Sequence, residues 1–165
     1  MSERKYNITE KKQKNPLYRS LVKPELVEKL YQKIMAKFVI EKKYKDPEYS
    51  AQKLAKDLET NSRYISAVIN LRFQDNYSQM VNEFRVKDAM YMLKDQHNAR
   101  MSMEEVAAQG GFSNRQSFYA AFYKRTGCTP REFRLRAQAE LQALKKEHTE
   151  KRKARQAKAD TSIGK

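Results

Sequence analysis

Apolar side chains recur along this chain at spacings of three and four, and no segment shows the alternation of a strand. The first such stretch covers residues 24–44. Leu26, Val27, Leu30, Tyr31, Ile34, Met35 and Phe38 fall there on one helical stripe. Lys37, Lys42, Lys43 and Lys45 crowd its end, where cations suit the helix dipole. Asp46-Pro47 stops it, because the residue before a proline is pushed out of helical geometry. Ser50 then caps a short helix over residues 51–58, with Leu54, Ala55 and Leu58 inward. A turn at Thr60-Asn61-Ser62 leads to a second helix, about 62–73, that buries Ile65, Val68 and Ile69. A longer helix, about 77–96, buries Met80, Val81, Phe84, Ala89 and Leu93 and breaks at His97-Asn98-Ala99.

Residues 101–136 carry the clearest punctuation. Ser102 with Glu105 spells a capping box, in which hydroxyl and carboxylate each satisfy a free backbone N–H. Gly110-Gly111 supplies the positive φ of a sharp turn. Ser113 with Gln116 reads as a second box, and Thr129-Pro130-Arg131-Glu132 as a third, with proline at the first helical position. Phe112, Phe118, Phe122, Tyr123 and Phe133 recur at helical spacing and are expected in the core. Two short helices around a glycine turn are the layout of a DNA-reading helix-turn-helix.

That unit occurs twice. LAKDLETNSRYISAVI (residues 54–69) aligns with VAAQGGFSNRQSFYAAF (106–122) if the second copy has one residue more at the start of its recognition helix. Ala55 then matches Ala107, Leu58 matches Gly110, and Ile65 and Ile69 match Phe118 and Phe122. Arg63 and Arg115 both fall in the first turn of a recognition helix, where side chains meet base edges. The helix between the copies, ~20 residues at 1.5 Å each, is ~30 Å long, against ~34 Å for one turn of B-DNA. Such a connector can put two recognition helices into successive major grooves of a non-palindromic site of about 18–20 base pairs. Two units in one chain remove the need for a dimer, so a monomer suffices. The expected fold is all-α, homeodomain-like, with about seven helices: two helix-turn-helix subdomains joined by a long linker helix.

The expected divisions are a flexible basic arm at 1–20, a lead-in helix, first unit and linker helix at 21–96, the second unit at 97–140, and a basic disordered tail at 141–165. Beyond Lys145 almost nothing is apolar, and from Lys145 on eight basic residues face three acidic ones. The net charge of +15 makes a polyanion the leading partner. The one cysteine, Cys128, forms no disulfide within the chain and fits a reducing cytosol. No apolar run approaches a membrane span, and the N-terminus lacks the apolar core of a signal peptide. His97 and His148 lie far apart with no cysteine cluster beside them, so no metal is expected. Nor does any phosphate loop, activated nucleophile or carboxylate pair point to an enzyme or a cofactor.

V-A-x-x-x-G-F (residues 106–112), Ser117-Phe118, Ala121-Phe122-Tyr123-Lys124, Gly127, Thr129-Pro130 and Phe133-Arg134 resemble the signature of AraC-type (arabinose-regulator-like) transcription factors. Upstream, Leu54-Ala55, Arg85, Ala89 and Leu93 match that family's first unit and linker helix. The resemblance covers about residues 50–136, and the lead-in helix with Asp46-Pro47 resembles the family's Bacteroidetes branch. It implies a bacterial regulator of transcription, cytoplasmic and associated with the nucleoid. By position the base readers would be Arg63, Ser66, Ala67 and Asn70 in the first unit, and Arg115, Gln116, Ser117 and Ala120 in the second. Arginine can pair with guanine, glutamine with adenine, and alanine offers a methyl contact to thymine. Lys53, Arg72, Ser113, Lys124 and Arg125 are candidates for phosphate contact.

Three departures stand out. Glu59 and Gln74 replace the family's turn glycines in the first unit, so its exit turn must be built differently. Ala67 and Ala120 are short where longer polar groups are usual, which puts weight on DNA shape. The family usually carries a separate sensing domain, yet about 20 residues precede the first helix. No ligand pocket is therefore expected, and activity would follow expression level or a partner protein, or the chain is a fragment. Beside double-stranded DNA, RNA polymerase and a separate sensor protein are the candidate partners. Two other functions stay open: a non-specific architectural nucleic-acid binder, and a protein-interaction module that docks a sensor or polymerase subunit.

Overall fold

The computed structural model describes residues 22–163, and all regular structure among them is helical. The basic arm expected at 1–20 lies outside the described residues. Seven α-helices follow in order: α1 Pro24–Met35, α2 Ala51–Asp57, α3 Ser62–Phe73, α4 Tyr77–Lys94, α5 Met103–Gln109, α6 Arg115–Thr126 and α7 Pro130–Ile163. They form two compact units that divide between Val81 and Asn82, inside α4. The sequence pattern places the whole of that helix with the first unit. Val86, Ala89 and Leu93 explain the difference, because all three belong to the second unit's core.

The first unit is α1, α2, α3 and the start of α4. The stripe of α1 buries Val27, Leu30 and Ile34. The helix predicted to reach residue 44 ends sooner, in a wide π-turn over Ala36–Ile40 and a 3-10 turn over Lys43–Lys45. Lys42 separates them in left-handed geometry at φ 50°. The π-turn keeps Phe38 fully buried while Val39 and Ile40 face outward. Phe38 meets the rings of Tyr49 and Tyr77 edge-on, each 6.3 Å away. Tyr49 in turn donates to Asp57 at 2.9 Å, and Tyr77 donates to the Tyr49 carbonyl at 2.5 Å. Burial pushes the Tyr49 hydroxyl well above the usual phenol range, with Asp57 adding to the rise. It therefore stays protonated and remains a donor.

The second unit is the rest of α4 with α5, α6 and α7. Its core joins Val86, Ala89 and Leu93 to Val106, Ala107, Phe112, Phe118 and Phe122. The rings of Phe112, Phe118, Phe122 and Phe133 run in series, with neighbouring centroids 5.2–5.6 Å apart. Such tilted and edge-on pairs add to the burial term. Arg134 clamps the start of α5 by donating to the Met101 carbonyl at 2.6 Å. Two of its other nitrogens are buried without a hydrogen-bond partner. Desolvation accordingly lowers its pKa from the ordinary value.

Where disorder was expected from residue 141, α7 continues to Ile163. Residues 142–153 are all exposed, so no core holds this stretch. Good helix formers and the one-turn pair Lys151–Glu147 support it instead. Lys145 makes its last described tertiary tie, donating to Gln96 at 2.8 Å.

Candidate nucleic-acid interface

Backbone hydrogen bonds set the two units in register. Leu58 N–H bonds Leu54 O at 3.0 Å, as Gly110 N–H bonds Val106 O at 2.9 Å. Thr60 N–H reaches Ala55 O, and Phe112 N–H reaches Ala107 O, both at 2.9 Å. Between these bonds the chain turns at Glu59 (φ 52°) in the first unit and at Gly111 (φ 89°) in the second. Both recognition helices also end alike. Gln74 at φ 56° and Gly127 at φ 72° are left-handed caps. Gln74 N–H bonds Asn70 O at 3.0 Å and Gly127 N–H bonds Tyr123 O at 2.8 Å. The exit turn of the first unit is thus not built differently: Gln74 adopts the glycine conformation, at a cost of about 1 kcal/mol.

The caps at the start of the two helices correct the sequence alignment. Asn61 accepts from Tyr64 N–H at 2.9 Å and Asn114 accepts from Ser117 N–H at 2.8 Å. Asn114, not Ser113, therefore opens α6, and the extra residue of the second copy lies in its turn. Arg63 then matches Gln116, and Arg115 matches Ser62. Freed from the expected capping box, Gln116 is exposed beside Ser117 and one turn before Ala120, also exposed.

On α3, Arg63 and Ser66 are exposed and Asn70 is half-buried. Ala67 was expected to offer a methyl to thymine, but it is fully buried and would have to be uncovered first. Its counterpart Ala120 keeps the open position. Tyr123 departs in the opposite direction. Expected in the core, it is 59% exposed on α6, one turn beyond Ala120 and next to exposed Lys124. Its ring extends the polar face of α6 and was hidden in the sequence by the buried phenylalanines around it.

Arg72 and Arg125 occupy matching places and share one arrangement. Arg72 pairs with Glu28 of α1 and lies over the Tyr31 ring at 5.3 Å. Arg125 pairs with Glu83 of α4 at 3.0 Å. Each arginine ties its recognition helix to the first helix of its own unit through an ion pair that stays exposed. The repeat therefore spans three helices per copy, with α4 standing to the second as α1 stands to the first. Lys53, Ser113 and Lys124 remain exposed.

Arg115 is also engaged. Its Nη1 donates to Glu104 of α5 at 2.7 Å, its Nη2 lies 3.4 Å from the Tyr119 hydroxyl, and its carbon lies 4.9 Å from the Tyr119 ring centre. The Tyr119 hydroxyl and then the Glu104 charge raise its pKa further above the ordinary guanidinium value. The sequence does not mark Glu104 and Tyr119 as partners of Arg115. Glutamate in a first helical turn reads as dipole compensation, and its partner arrives only through the turn.

No helix among the described residues is long and apolar enough to cross a membrane. Nor do the described residues include a group of three or more histidines, cysteines or carboxylates that could hold a metal.

Comparison with known proteins bears on these helices directly. A family model described as a helix-turn-helix domain matches residues 54–136. Among solved structures, the chain is similar to the C-terminal domain of the two-component response regulator yesN from Fusobacterium nucleatum, at 24% identity and a TM-score of 0.52 over 67% of this chain and 95% of that one. It is similar to the C-terminal domain of AraT, a response regulator from Geobacillus stearothermophilus, at 20% identity and a TM-score of 0.54 over 69% and 86%. A transcriptional regulator with an AraC-type DNA-binding domain from Chromobacterium violaceum gives 19% identity and a TM-score of 0.55 over 65% and 94%. At these identities the likeness is one of fold. No curated protein matches the sequence.

Proposed function

From the premise that this chain belongs to the AraC-type helix-turn-helix family of DNA-binding domains, we propose that it is a sequence-specific regulator of transcription that reads double-stranded DNA through α3 and α6. One observation carries the reading. At the same place relative to the caps, each recognition helix presents an exposed, long, polar side chain: Arg63 in the first unit and Gln116 in the second. These two types make bidentate contacts to guanine and adenine in the major groove. Ser66 and Asn70 extend the first face. Ser117, Ala120 and Tyr123 extend the second, while Lys53, Ser113 and Lys124 supply phosphate contacts.

Two recognition helices of different sequence call for a non-palindromic site. Each recognition helix would enter a major groove, and two successive grooves make a site of about two turns of the duplex. A net charge of +15 favours the encounter. As a regulator it would also meet RNA polymerase or a separate sensor protein.

Selection from a random duplex library, followed by salt titration, tests the proposal. One asymmetric site of about 18–20 base pairs should be enriched. It should be preferred over random DNA by about 10³-fold or more at physiological salt. Arg63→Ala and Gln116→Ala should each cost about 1–3 kcal/mol on that site and relax one base pair. Steep salt dependence with no enriched sequence would instead mark an architectural, non-specific binder.

A further inference from the structure

Arg115 sits at the first position of α6, beside Gln116 on the DNA-facing end of the helix, and it is held on two sides. Glu104 reaches it across the turn from α5, and Tyr119 lies one turn along α6 with its ring beneath the guanidinium. An exposed ion pair alone holds a side chain weakly. Here a carboxylate, an aromatic face and a hydroxyl act on one planar group, and together they restrict its rotation. The bond to Glu104 occupies one hydrogen of Nη1, and the longer contact to the Tyr119 hydroxyl occupies one of Nη2. A hydrogen on each of those nitrogens and the Nε–H stay available.

The first unit has no counterpart. Ser62 and Ser66 stand where Arg115 and Tyr119 stand in α6, and Arg63 makes no ion pair among the described residues.

We propose that Glu104 and Tyr119 are positioning residues that fix Arg115 for one base of the operator and withhold it from phosphates at large. This inference rests on the reading of the chain as a sequence-specific DNA binder. Glu104 acts in two ways. It holds the guanidinium at one angle, and its negative charge weakens the attraction of this end of α6 for any duplex. A freely rotating arginine can reach phosphates as well as bases, and its phosphate contacts add affinity without selection. A held arginine gains only where a guanine edge comes to it.

The test is library selection and affinity measurement on the full chain and on Arg115→Ala, Glu104→Gln, Glu104→Asp and Tyr119→Leu, with circular dichroism as the check on folding. Arg115→Ala should erase the preference at one base pair. Glu104→Gln should lower the preference at that same pair by about 3–10-fold while raising affinity for random duplex, since one negative charge is gone. Tyr119→Leu should lower it too, without the gain on random DNA. Glu104→Asp keeps the charge and should keep more of the preference than Glu104→Gln.

If Glu104→Gln raised binding to every sequence equally, Glu104 would be a general repeller and the positioning role would be wrong. If Arg115→Ala left every base preference intact while Arg63→Ala and Gln116→Ala removed theirs, Arg115 would be no reader, although the chain would remain a sequence-specific binder. Absence of any enriched site for the unaltered chain would overturn both readings together.

Discussion

The two helix-turn-helix units trace one backbone with different residues at its two left-handed positions. The second unit uses Gly111 and Gly127, and the first uses Glu59 and Gln74. Hydrogen bonds across the turns agree to within about 0.2 Å. The turn is therefore set by the inward side chains on both flanks, Leu54, Ala55 and Ile65 in one copy and Val106, Ala107 and Phe118 in the other, all buried. Glycine lowers the cost of the turn without being needed to specify it. The units also differ in what secures their ends. Neutral caps, Ser50 and Asn61, open α2 and α3. Carboxylate boxes, Ser102 with Glu105 and Thr129 with Glu132, open α5 and α7.

The largest blow to this comparison should come from Phe118→Ala, which removes the fully buried centre of the second unit's ring series. A loss of about 3–5 kcal/mol is expected. Denaturant unfolding would give its size, and hydrogen exchange should place the lost protection in α5 and α6. Equal loss of protection in α2 and α3 would show that the units do not hold their cores separately.

Intermediate effects belong to the left-handed sites. Gly111→Val should cost about 1–3 kcal/mol. Glu59→Val should cost less, because the native glutamate already bears most of the strain. In the other direction, Glu59→Gly and Gln74→Gly should each stabilise the first unit by up to about 1 kcal/mol, a shift readable as a rise in its melting temperature. Destabilisation by Gln74→Gly would mean that its side chain makes a contribution larger than the strain.

The smallest effect is acid sensitivity. Accepting from Ser102 and Thr129 backbone N–H groups holds Glu105 and Glu132 below their ordinary value of 4.5. A carboxylate whose folded pKa is depressed contributes stability that is present above its unfolded value and is lost as pH falls through the folded one. As pH falls below 4.5 and through the depressed values, the second unit should thus lose these capping contributions, while the Ser50 and Asn61 caps do not titrate. Hydrogen-exchange protection, taken relative to the unfolded amide at each pH, should fall at Ser102 and Thr129 N–H ahead of the amides bonded to Ser50 and Asn61. Coincident loss of protection in both units would break the distinction.

Periodicity made the seven helices and most of the core legible, because Leu54, Ile65, Phe118 and Phe122 can be placed by spacing alone. The interface was harder. Ser113-x-x-Gln116 matches a capping box one residue ahead of the true cap, Asn114, and that pattern sets Arg115 at the wrong position. Tyr123 shares its spacing with the buried aromatics around it, although the helix turns it outward. Arg72 and Arg125 read as free charge because Glu28 and Glu83, their partners, lie on other helices. Long-range pairs leave no periodic trace. The length of α7 was underestimated for another reason: absence of a core argues against docking, and helix propensity can continue without it.

Cys128, the single cysteine, adds a practical consequence. It lies directly after the left-handed cap of α6, buried, with its sulfur 3.6 Å from the Thr126 hydroxyl. A thiol reagent can reach it only when that exit turn opens. Labelling of the unaltered chain therefore becomes a clock for breathing at the end of the second recognition helix, and it is silent about the first.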